Sequence, residues 1–178
     1  MNHIILDSNR KKEIAKLFTS VFTSSEGIKE GKLIGNLASE LSSNIDNKNI
    51  ICLGTYDKKS LIGCIFFTLL HFNNDILVYM LAPVAVSTKH QRKGVGQALI
   101  NYGLNMLKER SVDIAITYGD PNFYSKVGFE PLSENIIQAP LKLSIPEGWL
   151  GQSFTDTPIP LIKEHSTCVS EFNNPIYW

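Results

Sequence analysis

Between Val84 and Leu99 the chain reads VAVSTKHQRKGVGQAL, and no other run limits the fold so tightly. Val84, Ala85 and Val86 end an apolar strand. Lys89, His90, Gln91, Arg92 and Lys93 form a short, mostly basic loop, Gly94-Val95-Gly96 closes it, and Val95, Ala98 and Leu99 already belong to an apolar stripe at helical spacing. A strand feeding a helix through so short a loop presents the first-turn N–H groups. These have no intrahelical partner and stand at the positive end of the macrodipole. Cations beside them, and glycines that let an oxygen approach the backbone, suit the junction to a diphosphate.

The elements around this junction follow from periodicity. Ile4-Ile5-Leu6 reads as a strand, and Ser8 or Asn9 is placed to cap a helix whose buried stripe is Ile14, Leu17, Phe18, Val21 and Phe22. Ser24 to Gly27 breaks it. A second helix is predicted to bury Leu33, Ile34, Leu37, Ala38 and Leu41. Residues 50–56 and 61–72 form a hairpin about the turn Asp57-Lys58-Lys59-Ser60, and residues 76–86 return after Asn73-Asn74-Asp75. Pro83 lies inside that last strand. Proline cannot donate to a ladder, so a bulge and a splay from the next strand are expected there.

The helix from Gly94 to about Arg110 carries Val95, Ala98, Leu99, Tyr102, Gly103, Met106 and Leu107 on its predicted inner face. Residues 113–118 are an apolar strand of the buried parallel kind, which makes 76–118 a βαβ unit. A short helix covers Pro121 to Val127, with proline in its first turn, and a strand starts at Phe129. Leu141 to Ile145 alternates as a last strand would, and the terminal aromatics Tyr177 and Trp178 are expected to pack on the domain.

With 178 residues and 43% apolar content the chain fits a single domain, 1–178. Lys+Arg and Asp+Glu are both 17, so no basic excess points to nucleic acid. The longest apolar stretch, Leu61 to Leu70, is too short to span a bilayer, and the N-terminus does not read as a secretory signal. Cys52, Cys64 and Cys168 read as free thiols of a cytoplasmic protein. His3, His71, His90 and His165 show no metal spacing, and no metal is expected.

Gln91-Arg92-Lys93-Gly94-Val95-Gly96 resembles the first signature of the GNAT superfamily, the GCN5-related N-acetyltransferases, and Leu81 to Val86 resembles the strand before it. Asn122-Phe123-Tyr124-Ser125-Lys126-Val127-Gly128-Phe129-Glu130 resembles the second, with one residue fewer between Asn122 and Tyr124. The likeness covers about residues 3–135 and leaves 136–178 as a C-terminal strand and tail. It implies an α/β fold: a mixed, mostly antiparallel twisted sheet with helices on both faces, a central splay, and acyl-CoA acyltransferase activity.

The resemblance further implies that acetyl-CoA is the co-substrate. Val84, Ala85 and Val86 would pair with its pantetheine arm, residues 91–97 would hold the pyrophosphate, and Asn122 would join the cofactor-binding set. Tyr124 would be the general acid, and an N–H near Val86 would polarise the thioester carbonyl. Glu26, in the loop that walls the acceptor site in this family, is the substrate-binding candidate. Glu26, His71, Asp75 and Asp120 flank element ends near the expected cleft, and the sequence names none of them as the base. The expected reaction is N-acetylation of a small-molecule or protein amine, in a family where homodimers are frequent. A non-catalytic acyl-CoA-binding or regulatory module is the alternative, and an ordinary nucleotide binder a third reading.

Overall fold

The structure is a computed structural model describing residues 1–178. Seven strands are ordered β1-β2-β3-β4-β5-β7-β6, with β4–β5 parallel and the β1–β2, β5–β7 and β6–β7 pairs antiparallel. This is the expected mixed, mostly antiparallel α/β sheet. The chain forms two compact units, residues 1–67 with 83–103, and residues 68–82 with 104–178.

In the first unit β1 (Asn2–Leu6) pairs with β2 (Ile50–Asp57), and β3 (Ser60–Leu70) returns after a turn in which Lys58 adopts φ 55°. Neither Ser8 nor Asn9 caps the first helix. No side chain caps α1 (Lys11–Glu26); Asp7 instead caps the 3-10 turn before it, accepting from the Asn9 N–H at 2.9 Å. Ile14, Leu17, Phe18 and Val21 are buried as expected, while Phe22 is half-exposed.

Gly27 (φ +98°) turns the chain into α2 (Ile28–Ser43). Its buried stripe is Gly31, Gly35, Leu37, Ala38, Leu41 and Ser42, whereas Leu33 and Ile34 lie half-exposed. The correction has a steric cause. A Cβ on Gly31 would lie 1.9 Å from Thr23 Oγ1, and one on Gly35 1.9 Å from Thr19 Oγ1. The two glycines let α2 press against the threonines of α1, so the closest face of α2 carries no side chains at those positions.

β4 (Val78–Val86) begins two residues later than predicted, because the Leu77 N–H bonds the Asp113 carboxylate at 2.8 Å. Its residues Val78–Leu81 align with Ile114–Thr117 of β5 (Ile114–Tyr118). α3 spans Val95–Glu109 and buries Val95, Gly96, Leu99, Ile100, Gly103, Leu104 and Leu107. The predicted face was rotated: Ala98 and Tyr102 are exposed, and the Tyr102 ring lies tilted against His3 with centroids 5.3 Å apart.

The short helix divides into α4 (Pro121–Tyr124) and a 3-10 turn over Ser125–Val127, and β6 is only Glu130–Pro131. Leu141 to Ile145 is not a strand. The last strand is β7 (Trp149–Ser153), paired with both β5 and β6. Trp178 is buried against Tyr118, Trp149 and Phe172, and its indole N–H donates to the Phe172 carbonyl at 2.8 Å, so the tail packs as expected. No helix is long and apolar enough to cross a membrane.

Candidate active site

Pro83 fixes where the β4–β5 ladder stops. The Ile114 N–H donates to the Leu77 carbonyl, so in this register residues 77, 79 and 81 of β4 turn their backbone groups toward β5. The next donor would be residue 83, which has no N–H. Alignment ends at Leu81 and Thr117. Beyond Pro83 the parity has changed: the Ser87 N–H donates to Ile62 at the start of β3, at 2.8 Å. One residue has been gained, as a bulge requires. Val86, the residue before Ser87, therefore turns its N–H and C=O away from β3. Val84 and Val86 are half-exposed, and Ala85 between them is buried.

The Val86 carbonyl accepts from the Gln91 side-chain amide at 3.0 Å. Gln91 thus ties the loop to the strand end. Lys93 Nζ closes the same loop by donating to the Lys89 carbonyl at 2.9 Å. Arg92 (φ 59°) and Gly94 (φ 78°) are left-handed and Lys93 between them is not. That alternation curls successive N–H groups into an anion-binding concavity. The first bond of α3 runs from the Ala98 N–H to the Gly94 carbonyl, so the N–H groups of Val95, Gly96 and Gln97 precede the helical ladder. Apart from Gly94 itself and its two chain neighbours, no atom lies within 4 Å of where a Cβ on Gly94 would stand. Arg92 and Lys93 are exposed at the rim of the concavity.

Tyr124 ends α4, which Asp120 caps by accepting from the Asn122 N–H at 2.9 Å. Asn122 itself is exposed. The Tyr124 ring is buried edge-on to Phe123 and Phe129, with centroids 5.0 and 5.8 Å away. Burial pushes its phenol above the ordinary value, a hydrogen bond with the Thr117 side chain pulls it back, and the Asp120 carboxylate raises it. A Cβ on Gly119 would lie 2.7 Å from Tyr124 Cε2, so the ring occupies space that any side chain there would claim.

The profile of the acetyltransferase (GNAT) domain matches residues 48–131. The uncharacterized N-acetyltransferase YjhQ of Escherichia coli K12 is 30% identical over 164 residues, 88% of this chain and 86% of its own length. The chain belongs to the GNAT acetyltransferase family.

Solved GNAT structures share its fold. The Escherichia coli GNAT protein YhbS, solved in complex with CoA, superposes with TM-score 0.78 at 22% identity, covering 97% of this chain and 92% of its own. A Brucella melitensis GNAT acetyltransferase, solved with acetyl-CoA, superposes with TM-score 0.70 at 18% identity and 97% coverage of both chains.

Other site candidates have structural positions of their own in this GNAT chain. Asp120 is a helix cap. His71 forms a bridge with Thr167, with N–H···O distances of 2.9 and 3.0 Å in the two directions. Asp75 is exposed in the turn before β4, and Glu26 is exposed at the last residue of α1. Cys52 and Cys64 are buried with their sulfurs 3.4 Å apart, and burial, then Cys64, holds the Cys52 thiol well above its ordinary value. Sequence reasoning missed Thr117 and Gly119. Both lie in or just after the apolar run 114–118, which reads as core, and only the fold brings them to the tyrosine.

Proposed function

We propose that this GNAT chain transfers the acetyl group of acetyl-CoA to a primary amine by direct attack. The observation that carries the reading is the curl of N–H groups from Arg92 to Gln97, with left-handed Arg92 and Gly94 and cations at its rim. Its donors and charge fit a diphosphate. The amides of Arg92, Lys93, Gly94, Val95, Gly96 and Gln97 would hold that group, Val84, Ala85 and Val86 would pair with the pantetheine arm, and Asn122 would complete the set. Gln91 shapes the cradle through its bond to Val86.

Acetyl-CoA supplies an activated acyl carbon on a thiol leaving group. Val86, with its N–H turned away from β3, polarises the acyl oxygen. Tyr124 is the proton donor to the leaving sulfur. A phenol kept protonated by burial is the right group, because it stays an acid at neutral pH and its ordinary value lies near that of a thiol.

The acceptor is a small-molecule or protein amine, with Glu26 in the wall of its site. We take residues 1–178 as one acetyltransferase domain, supported by the 88% coverage by YjhQ. We place it in the cytoplasm, supported by its free cysteines.

The test is thiol release from acetyl-CoA across a panel of amines. Release with at least one amine, reduced about 10²- to 10⁴-fold by Tyr124→Phe with coenzyme affinity kept, is expected. Binding of CoA without release from any amine would instead favour a non-catalytic acyl-CoA-binding module.

A further inference from the structure

The edge of the sheet holds a cleft of about 550 Å³ at β6 and β7, a volume within the range of small-molecule sites. Its apolar lining is Pro131, Leu132, Ile136, Pro158 and Ile159. Gly151 of β7 also lines it. A Cβ there would lie 2.7 Å from Ile159 Cδ1 and 3.1 Å from Leu132 Cδ2, so those two side chains settle against bare backbone. None of the lining residues belongs to the cofactor cradle, to Val84–Val86 or to Tyr124.

Two acceptors in the lining have no donor. Glu130 is exposed, and its carboxylate has no cation within ion-pair distance. Gln152 Oε1 is buried without a hydrogen-bond partner. The amide that carries it lies over Gly128, another residue of the lining. A Cβ on that glycine (φ +89°) would stand 2.6 Å from Gln152 Nε2 and 3.7 Å from Oε1, so a bare residue at 128 is what leaves room for the amide. An unpaired buried acceptor is costly, and the broad last torsion of glutamine lets a small rotation present it to a donor. The two serines of the lining are already engaged. Ser133 Oγ accepts from the Asn135 N–H at 3.1 Å, and Ser153 Oγ bonds to Thr155 and Thr157. No lysine, arginine or histidine lines the cleft.

We propose that this cleft is a second binding site, which takes a primary ammonium carried on an apolar body. The ammonium has donors for Gln152 Oε1, and its charge matches the unpaired Glu130 carboxylate. An aryl or alkyl body lies on the proline, leucine and isoleucine lining. A neutral ligand of the same shape brings no charge to Glu130. An anion meets that carboxylate with no cation in the lining to offset it. Binding here is noncovalent and needs no acetyl transfer, so the site stands apart from the role of Tyr124.

The experiment titrates phenethylamine, protonated at neutral pH, into the full chain without acetyl-CoA. It is read by calorimetry and by the side-chain amide resonances of Gln152, assigned by their loss in Gln152→Leu. The neutral control is phenylethanol. Saturable binding of the amine with a shift of the Gln152 resonances is expected, and the alcohol should bind about 10-fold more weakly or less. Gln152→Leu should weaken amine binding about 10- to 100-fold, the usual worth of a hydrogen bond to a charged group. Glu130→Gln should weaken it about 2- to 5-fold, as for an exposed pair, and reads the charge match should leucine unsettle β7. Gln152→Glu, which adds a carboxylate, should tighten it. Amine binding that leaves the Gln152 resonances unmoved, or that survives both Glu130→Gln and Gln152→Leu while falling in Glu26→Gln, puts the amine in the acceptor site and overturns the proposal. Equal binding of amine and alcohol, or binding of neither, overturns it as well.

Discussion

Two small residues decide what Tyr124 can be. At Gly119 an added Cβ would meet Tyr124 Cε2 at 2.7 Å. Gly119→Ala must therefore swing the ring, at a cost of about 1–3 kcal/mol of overpacking. Both a lower midpoint in denaturant and a lower kcat are expected, whereas a change in Tm with kcat intact would detach the ring's position from catalysis. Asp120 acts by charge. Asparagine keeps the cap on α4 but removes the carboxylate that raises the phenol, so Asp120→Asn moves the Tyr124 titration down in pH. The alkaline loss of kcat should then begin at lower pH, with the rate on the acid side changed little, as a pH–rate profile would read. At this scale the sequence is informative where chemistry is local. The glycines and cations of residues 91–97 are adjacent and announce a junction. Thr117 is silent, because its partners Leu81 and Tyr124 meet it only through strand pairing and the α4 turn.

Elements show a similar contrast. The α1–α2 hairpin depends on close approach, since a Cβ on Gly31 would lie 2.8 Å from the backbone O of Thr19 and N of Thr23, atoms that cannot rotate away. Gly31→Ala should push the helices apart and destabilise by about 1–3 kcal/mol in denaturant titration. Before β2, Asp46 accepts from the N–H groups of Lys48, Asn49 and Ile50 and from the Asn49 amide. Burial opposes the charged form, but these bonds hold the carboxyl at about 2. Its folded value lies below its unfolded one. Its contribution is therefore complete above about pH 4 and is lost as pH falls through about 2. Asp46→Ala should flatten stability over that window and cost less than about 1 kcal/mol at neutral pH, because solvent screens so exposed a carboxylate. Helices were legible from apolar spacing, except where glycine replaced a side chain as the packing surface, or where α3 buried Ile100 and Leu104 in place of Ala98 and Tyr102. Alternation also misplaced the last strand. Leu141 to Ile145 alternates but is flanked by Pro140 and Pro146. The place beside β5 goes to Trp149–Ser153, whose pairing is set by residues more than thirty positions away.

For the whole molecule, the β-α-α-β-β-β-α-β-α-β order could be read from the sequence, and the ladder's end at Pro83 followed from the missing N–H. The C-terminal part was less legible, because its aromatic cluster joins residues from Tyr118 to Trp178. Trp178→Ala should remove about 3–5 kcal/mol from the second unit, seen as a lower denaturant midpoint. The central claim is that the amides of residues 92–97 receive the diphosphate of acetyl-CoA. Hydrogen exchange of the segment 91–98, measured with and without CoA at a concentration shown by calorimetry to saturate, tests it most directly. The account predicts that exchange in this segment slows markedly when CoA is bound. Bound CoA with unchanged exchange there, or no heat of binding at all, would contradict it.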